Sequence, residues 1–308
     1  MGAMIELRGL TKSFGRTRAV DGLSCAIEPG FVTGFLGPNG AGKSTTMRMI
    51  VGLDRPTNGT ATINGRSYHQ IKHPLRTVGT LLDAKQVHPR RTARNHLRWI
   101  AASNRLPVKR VDEVLAMVGL TDVAGKKAGT FSLGMSQRLG IAGALLGDPP
   151  VLIFDEPVNG LDPEGIRWVR TLMRQLAAQG RTVFVSSHLL AEMANTADRL
   201  VVIGRGRLIA ATTMNEFVSA SGGDSVRVRS PQAPALRDAL AATGLQVLPD
   251  GDGVALVVRG GTIEQVGEIA AGQSITLHEL SPQRASLEEA YMHLTDQAVD
   301  YRAGQVPS

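Results

Sequence analysis

The chain has 308 residues, 43% of them apolar and 20% charged, with one cysteine and a formal net charge of +7. The apolar share excludes a wholly disordered chain, and the length provides for two domains. A single cysteine excludes an intramolecular disulfide and a cysteine-built zinc or iron–sulfur framework. No apolar run approaches the roughly 18 residues that span a bilayer, and Glu6 and Arg8 interrupt the first ten residues, so a secretion signal is not expected. A charge of +7 suits nucleic acid, a membrane surface or a phosphate ligand equally well.

In chain order, Leu23–Ile27 is strand-like, with Cys25 as a small buried apolar residue. Phe31–Leu36 follows, a strand-length apolar run without polar alternation, and Val151–Phe154, Val183–Ser186 and Leu200–Ile203 are of the same kind. Such runs suit strands covered on both faces, as in a parallel α/β sheet. Gly59–Gly65 reads as a β-turn segment with no chemistry of its own. Helices are expected after Lys43, after Pro163 with Asp162 as N-cap, and after His188. The interval from about 84 to 147 lacks a strand-like run and reads as a helical insertion; Val111, Val114, Leu115 and Val118 share one helical face.

Residues 1–222 hold 28 basic and 16 acidic residues, residues 223–308 only 6 and 11. The sign changes at the small-residue stretch Ser219–Gly223, which reads as a linker between a basic domain, 1–222, and an acidic one, 223–308. In the second domain, Ser225–Arg229 reads as a strand and Ala233–Thr243 as a helix stopped by Gly244. A hairpin follows, Leu245–Leu248 and Val254–Val258 around Asp250-Gly251-Asp252-Gly253. Thr262–Ala271 then reads as a helix, Ser274–Leu280 as a strand, and a last helix carries Leu287, Tyr291 and Leu294. The order βαββαβ is that of a ferredoxin-like α+β domain.

Gly37-Pro38-Asn39-Gly40-Ala41-Gly42-Lys43-Ser44 matches the phosphate-loop pattern G-x4-G-K-[ST] between a strand and a helix, the context the pattern requires. Glycines let backbone N–H groups turn inward around a phosphate, and the helix N-terminus adds partial positive charge. Lys43 would reach the β- and γ-phosphates and Ser44 would bind Mg²⁺, with Thr45 following in the first turn. The strand Val151–Phe154 ends in two carboxylates. Asp155 is placed to hold Mg²⁺ and Glu156 to polarise the attacking water. A solvated pair at a strand end is the lesser alternative for two such acids taken alone, and lesser still beside a phosphate loop.

With these residues the chain resembles the ATP-binding subunits of ABC transporters, over roughly residues 4–217. Phe131-Ser132-Leu133-Gly134-Met135-Ser136-Gln137-Arg138 resembles the family signature in the form common among drug and antibiotic exporters, where the usual form is Ser-Gly-Gly-Gln. Asn159-Gly160-Leu161-Asp162 resembles the loop after the catalytic Glu, His188 the switch histidine, and Phe14 the aromatic that stacks on adenine. Alone, His188 would be an ordinary cap or core histidine, Phe14 a core residue and Ser132 a helix cap. Asp83 stands where the family usually carries Gln, at the junction with the helical insertion, and could offer oxygen to Mg²⁺ or to the water.

The resemblance implies a P-loop NTPase core with a RecA-like sheet, an antiparallel β part and the helical insertion. It implies ATP and Mg²⁺ as ligands, with the γ-phosphate of one subunit meeting Ser132 and Gly134 of a second. The dimer would drive separate transmembrane permease subunits at the cytoplasmic face of the membrane, and exported drugs or antibiotics would be the cargo. The alternative is an ABC ATPase acting on nucleic acid or the translation machinery, but the long coiled coils, zinc modules or tandem cassettes of such relatives are missing. Between Lys85 and Arg138 there are 11 basic and 3 acidic residues. That patch is expected to face the permease and the anionic leaflet, with no nucleic-acid partner.

Overall fold

The computed structural model describes residues 4–83, 87–188, 190–220, 225–251, 253–283 and 291. The chain forms two compact units, Met1–Thr212 and Thr213–Ser308. Residues 221–223 of the expected linker, and the last helix apart from Tyr291, lie outside the described residues.

The first unit opens with strands β1 (Ile5–Phe14), β2 (Thr17–Ile27) and β3 (Val32–Leu36), then helix α1 (Lys43–Ile50) and β4 (Asn58–Ile63). Next come α2 (Pro74–Thr77), β5 (Val78–Leu81), α3 (Ala93–Ser103), α4 (Lys109–Met117) and α5 (Leu133–Leu145). The unit continues through β6 (Val151–Asp155), α6 (Pro163–Ala178), β7 (Thr182–Ser187), α7 (Leu190–Ala194), β8 (Arg199–Gly204) and β9 (Arg207–Thr213).

Two sheets result, a six-stranded one in the order β5-β6-β7-β3-β8-β9 and a three-stranded one in the order β2-β1-β4. Strands β5, β6, β7, β3 and β8 pair in parallel, whereas β1 pairs antiparallel with β2 and β4. Every residue of β3 and β7 is buried, as expected for strands covered on both faces. Between them Phe35 and Phe184 pack with ring centres 5.0 Å apart. Both are fully buried, each contributing roughly 1.5–3 kcal/mol by burial.

The segment between β5 and β6 is helical. Val111, Val114, Leu115 and Val118 are all buried, so one apolar face of α4 holds the bundle together. The end of α5 lies so close to β5 that a Cβ at Gly79 would stand 2.0 Å from the Ala144 carbonyl oxygen. That contact ties the helical segment to the sheet edge.

Two expectations need correction. Gly59–Gly65 is not a turn from end to end, because Asn58–Ile63 is a strand paired with β1. Its Asn-Gly start signals a turn, but Gly59 serves close approach, since a Cβ there would stand 2.2 Å from the Gly9 carbonyl oxygen. The last strand of the second unit also starts later than the 274–280 run suggests.

That unit begins with α8 (Met214–Ala220) and continues as β10 (Ser225–Arg229), α9 (Ala233–Ala242), β11 (Gln246–Asp250), β12 (Ala255–Arg259), α10 (Ile263–Gly272) and β13 (Glu279–Gln283). Ser274 adopts a φ of 53°, which closes α10 and delays the strand. The sheet order is β11-β12-β10-β13 with all neighbours antiparallel. Leu236, Leu240, Val266 and Ala270 of the helices pack on Val226, Val228, Leu256 and Val258 of the strands. Arg227 alternates to the other face, between Asp250 and Glu279 at 2.8 and 3.0 Å. Both edge strands contain a proline, Pro249 and Pro282, a residue that blunts further strand addition.

Candidate active site

The phosphate loop fills the gap between β3 and α1. Gly42 has a φ of 102°, and a Cβ there would stand 2.4 Å from the Ala19 carbonyl oxygen of β2. A Cβ on Gly37 would stand 2.6 Å from the Ile203 carbonyl oxygen of β8. Only glycine fits at either end of this passage. Pro38, Asn39 and Gly40 are exposed on the crest, whereas Ala41 is buried beneath. Ser44 is exposed and Thr45 half-buried on the first turn of α1.

Lys43 is buried, and its Nζ donates to the Gly37 carbonyl at 2.6 Å and the Pro38 carbonyl at 3.3 Å. Burial holds the ammonium below the ordinary lysine range, opposed by the carboxylates of Glu156 and Asp155. A cation curled onto the loop's own carbonyls in this way is stored where an anionic phosphate would complete its coordination.

The two acids stand at the C-terminal edge of β6, the edge where α/β sheets take ligands. Asp155 pairs with Ser186 of β7. The Ser186 hydroxyl donates to Asp155 Oδ1 and accepts from the Glu156 backbone N–H at 3.0 Å. Glu156 has a φ of 50°, a left-handed conformation uncommon outside glycine. The carboxylate meets His188 at 2.8 Å, Oε2 to Nδ1. His188 follows directly on β7, so adjacent strands deliver the pair.

Asp83 lies two residues beyond β5. Leu81 is opposite Phe154, so Asp83 is at the same sheet edge as Glu156. It also lines a groove of about 280 Å³ with Leu53, Leu82, His96 and Trp99. Phe14 is half exposed at the end of β1, with Lys12 Nζ 4.9 Å from its ring centre. Ser132 caps α5, accepting from the Met135 N–H at 3.2 Å, and leaves that helix end at the surface.

Within one chain, Lys43, Asp155, Glu156 and His188 thus come together. Among the described residues, Phe14, Ser132 and Gly134 make no hydrogen bond to that group. Sequence reasoning missed Ser186 and gave no role to Gln137 of the signature segment, which donates to the carbonyls of Glu156 and Asn159 at 3.3 and 3.4 Å. The available signal for Ser186 was a pair of hydroxyls closing an apolar strand, both fully buried. The assembled groups can neutralise a phosphate and take a proton from a water molecule.

A phosphate loop at the centre of a parallel sheet, with paired carboxylates on the next strand but one, defines a P-loop nucleoside triphosphatase. A family model described as ABC transporter matches residues 20–159. Residues 224–288 match a domain of unknown function. The ABC transporter ATP-binding protein YhcH of Bacillus subtilis, itself uncharacterized, is 36% identical over 96% of this chain and 97% of its own length. The bacitracin transport ATP-binding protein BcrA of Bacillus licheniformis is 43% identical over 68% of this chain and 69% of its own. The dimeric structure of MJ0796, a bacterial ABC transporter cassette, superposes with a TM-score of 0.63 at 25% identity, covering 68% of this chain and 98% of that one. The chain belongs to the ATP-binding proteins of ABC transporters. It is an ATPase subunit, and among its described residues no helix is long and apolar enough to cross a membrane.

Proposed function

We propose that this chain is the ATP-hydrolysing subunit of a system exporting antibiotics or other hydrophobic compounds. The supporting observation for cargo is the 43% identity to a bacitracin transport protein; for chemistry it is the grouping of Lys43, Asp155, Glu156 and His188 at one sheet edge. Two copies of the cassette domain, residues 1–222 with the helical subdomain at about 84–147, pair around two ATP molecules. The domain 223–308 is a ferredoxin-like accessory module.

Each ATP lies between Phe14 and the loop Gly37–Thr45, where Lys43 leaves the loop carbonyls for the phosphates. Ser132 and the Gly134 N–H of the second copy meet the γ-phosphate. Glu156 takes a proton from the attacking water, whose oxygen bonds to the γ-phosphorus as ADP departs. His188 holds the Glu156 carboxylate and the γ-phosphate.

Mg²⁺ fits the donors present, which are hard oxygens: the Ser44 hydroxyl, the Asp155 carboxylate and Asp83 at the same edge. Among the described residues no cluster of three or more His, Cys, Asp or Glu could hold a metal alone. Mg²⁺ suits such a sparse set because it completes its shell with water and substrate phosphates. When bound it neutralises charge on the phosphates.

The groove beside Asp83, with Trp99 and Leu53 exposed at its rim, receives a separate transmembrane permease subunit, and the basic patch from Lys85 to Arg138 lies toward the anionic leaflet. The chain then sits peripherally on the cytoplasmic face of the membrane. Co-purification with the membrane subunit tests this reading: peptide antibiotics should stimulate ATP hydrolysis by the complex, whereas stimulation by DNA or RNA and not by the membrane partner would overturn it.

A further inference from the structure

The signature turn and the loop after Glu156 interlock within one chain. A Cβ on Gly160 would stand 2.0 Å from Leu133 Cδ2 and 2.7 Å from its Cγ, so the Leu133 side chain occupies the space a residue at 160 would need. The contact is reciprocal, since a Cβ on Gly134 would stand 3.2 Å from Leu161 Cδ2. Each segment thus lays a leucine on the glycine of the other. Behind them Gln137, 6% exposed, donates to the carbonyls of Glu156 and Asn159. Its Oε1 is buried without a partner, so the amide is committed to these two donations. The loop is itself two short turns, Asn159 N–H to Glu156 carbonyl and Leu161 N–H to Val158 carbonyl, each 3.2 Å.

We propose that Leu133, Gln137 and Gly160 form a clasp through which the signature turn of a subunit sets the backbone carrying that subunit's own Glu156. They are positioning residues. Engagement of Ser132 and Gly134 by the partner's nucleotide shifts the first turn of α5, and the clasp passes that shift to the peptide following Glu156. Glu156 itself holds a left-handed φ of 50°, a conformation uncommon outside glycine that the surrounding contacts must maintain. Leucine at position 133, where the usual signature has glycine, is accommodated by the missing side chain at 160. The inference rests on the reading of Glu156 and the signature given above.

A double-mutant cycle in the full chain tests it. Gly160→Ala should lower kcat for ATP at least tenfold, with KM within twofold and nucleotide-dependent dimerisation retained. Leu133→Ala removes the clashing Cγ and Cδ2 and leaves a Cβ 3.5 Å from the new one. The double variant should therefore recover at least threefold over Gly160→Ala, although the positive φ of 74° at 160 still strains alanine in both. Gln137→Met keeps the bulk, removes the donors and should lower kcat with KM unchanged, which covers the case in which Gly160→Ala fails to fold. Normal turnover in Gly160→Ala or Gln137→Met, or a double variant no better than Gly160→Ala, would overturn the clasp. Glu156→Gln measured in parallel separates the two ideas: hydrolysis retained there overturns the catalytic reading, whereas its loss without rescue at 133 overturns the clasp alone.

Discussion

Glu156 and His188 face each other across the ends of two neighbouring strands, carboxylate Oε2 to imidazole Nδ1, at 2.8 Å. The parallel register that sets Asp155 opposite Ser186 fixes this pairing. A carboxylate held by an imidazole is oriented before substrate arrives, and orientation of a base governs turnover more than substrate affinity. His188→Ala should lower kcat by about 10²-fold and leave KM for ATP within a factor of two. Steady-state ATPase kinetics check this; a rise in KM at constant kcat would place His188 in binding alone.

Ser186 joins the two acids from beneath. It is fully buried, donates to Asp155 and accepts from the Glu156 N–H. Ser186→Ala leaves both groups short of a partner, a loss of about 1–3 kcal/mol. Urea unfolding should show that loss, with turnover reduced alongside. Unchanged stability would mean that water replaces the hydroxyl without cost.

Much of this site was legible in the sequence because its chemistry needs fixed residue types at fixed spacing. Gly42 must be glycine for its backbone, Lys43 and Ser44 must follow it, and two acids cannot close a buried strand without a task. The roles of Ser186 and Gln137 were not legible: Gln137 falls within the signature segment, but a side chain's bond to a distant carbonyl or amide leaves no local pattern. The Gly59 segment misled for a related reason: glycine required by close approach to Gly9 looks the same in sequence as glycine required by a turn. The interlock of Leu133 with Gly160 depends on segments 27 positions apart and emerges only from packing.

His96 lines the groove beside Asp83, and its Nδ1 is buried without a partner. Burial, and then the charge of Arg91, hold its pKa below the usual 6.5, so the fold favours the neutral ring. The unfolded chain takes up the proton first as pH falls. The stability contributed by the neutral ring is therefore complete above about 6.5 and is lost as pH falls through the lower folded value. Urea midpoints at pH 7.5 and 5.5 should differ in the native chain and differ less in His96→Gln. Equal pH dependence in both would remove His96 as the cause.

The basic patch offers a test of the membrane reading. Arg94 is paired with Asp112 and Arg91 stacks on the Trp99 ring at 4.7 Å, whereas Arg90 is exposed. Reversing Arg90 and Arg91 to Glu should weaken co-purification with the permease and flotation with anionic vesicles, each more strongly at low salt. The Arg94 pairing makes its reversal a structural change as well, so the double reversal is the cleaner experiment. Intact assembly after reversal would place the patch away from the membrane.

Under the proposed function, Glu156 activates water at a nucleotide shared by two copies of this chain. Glu156→Gln keeps the shape of the side chain and removes the base. Hydrolysis and ATP-dependent dimerisation, measured together in that variant, decide between this role and a purely structural one. Turnover should fall by a factor of 10² or more, with ATP still bound and a dimer that persists. Turnover at the native rate, or failure to dimerise with ATP bound, would contradict it.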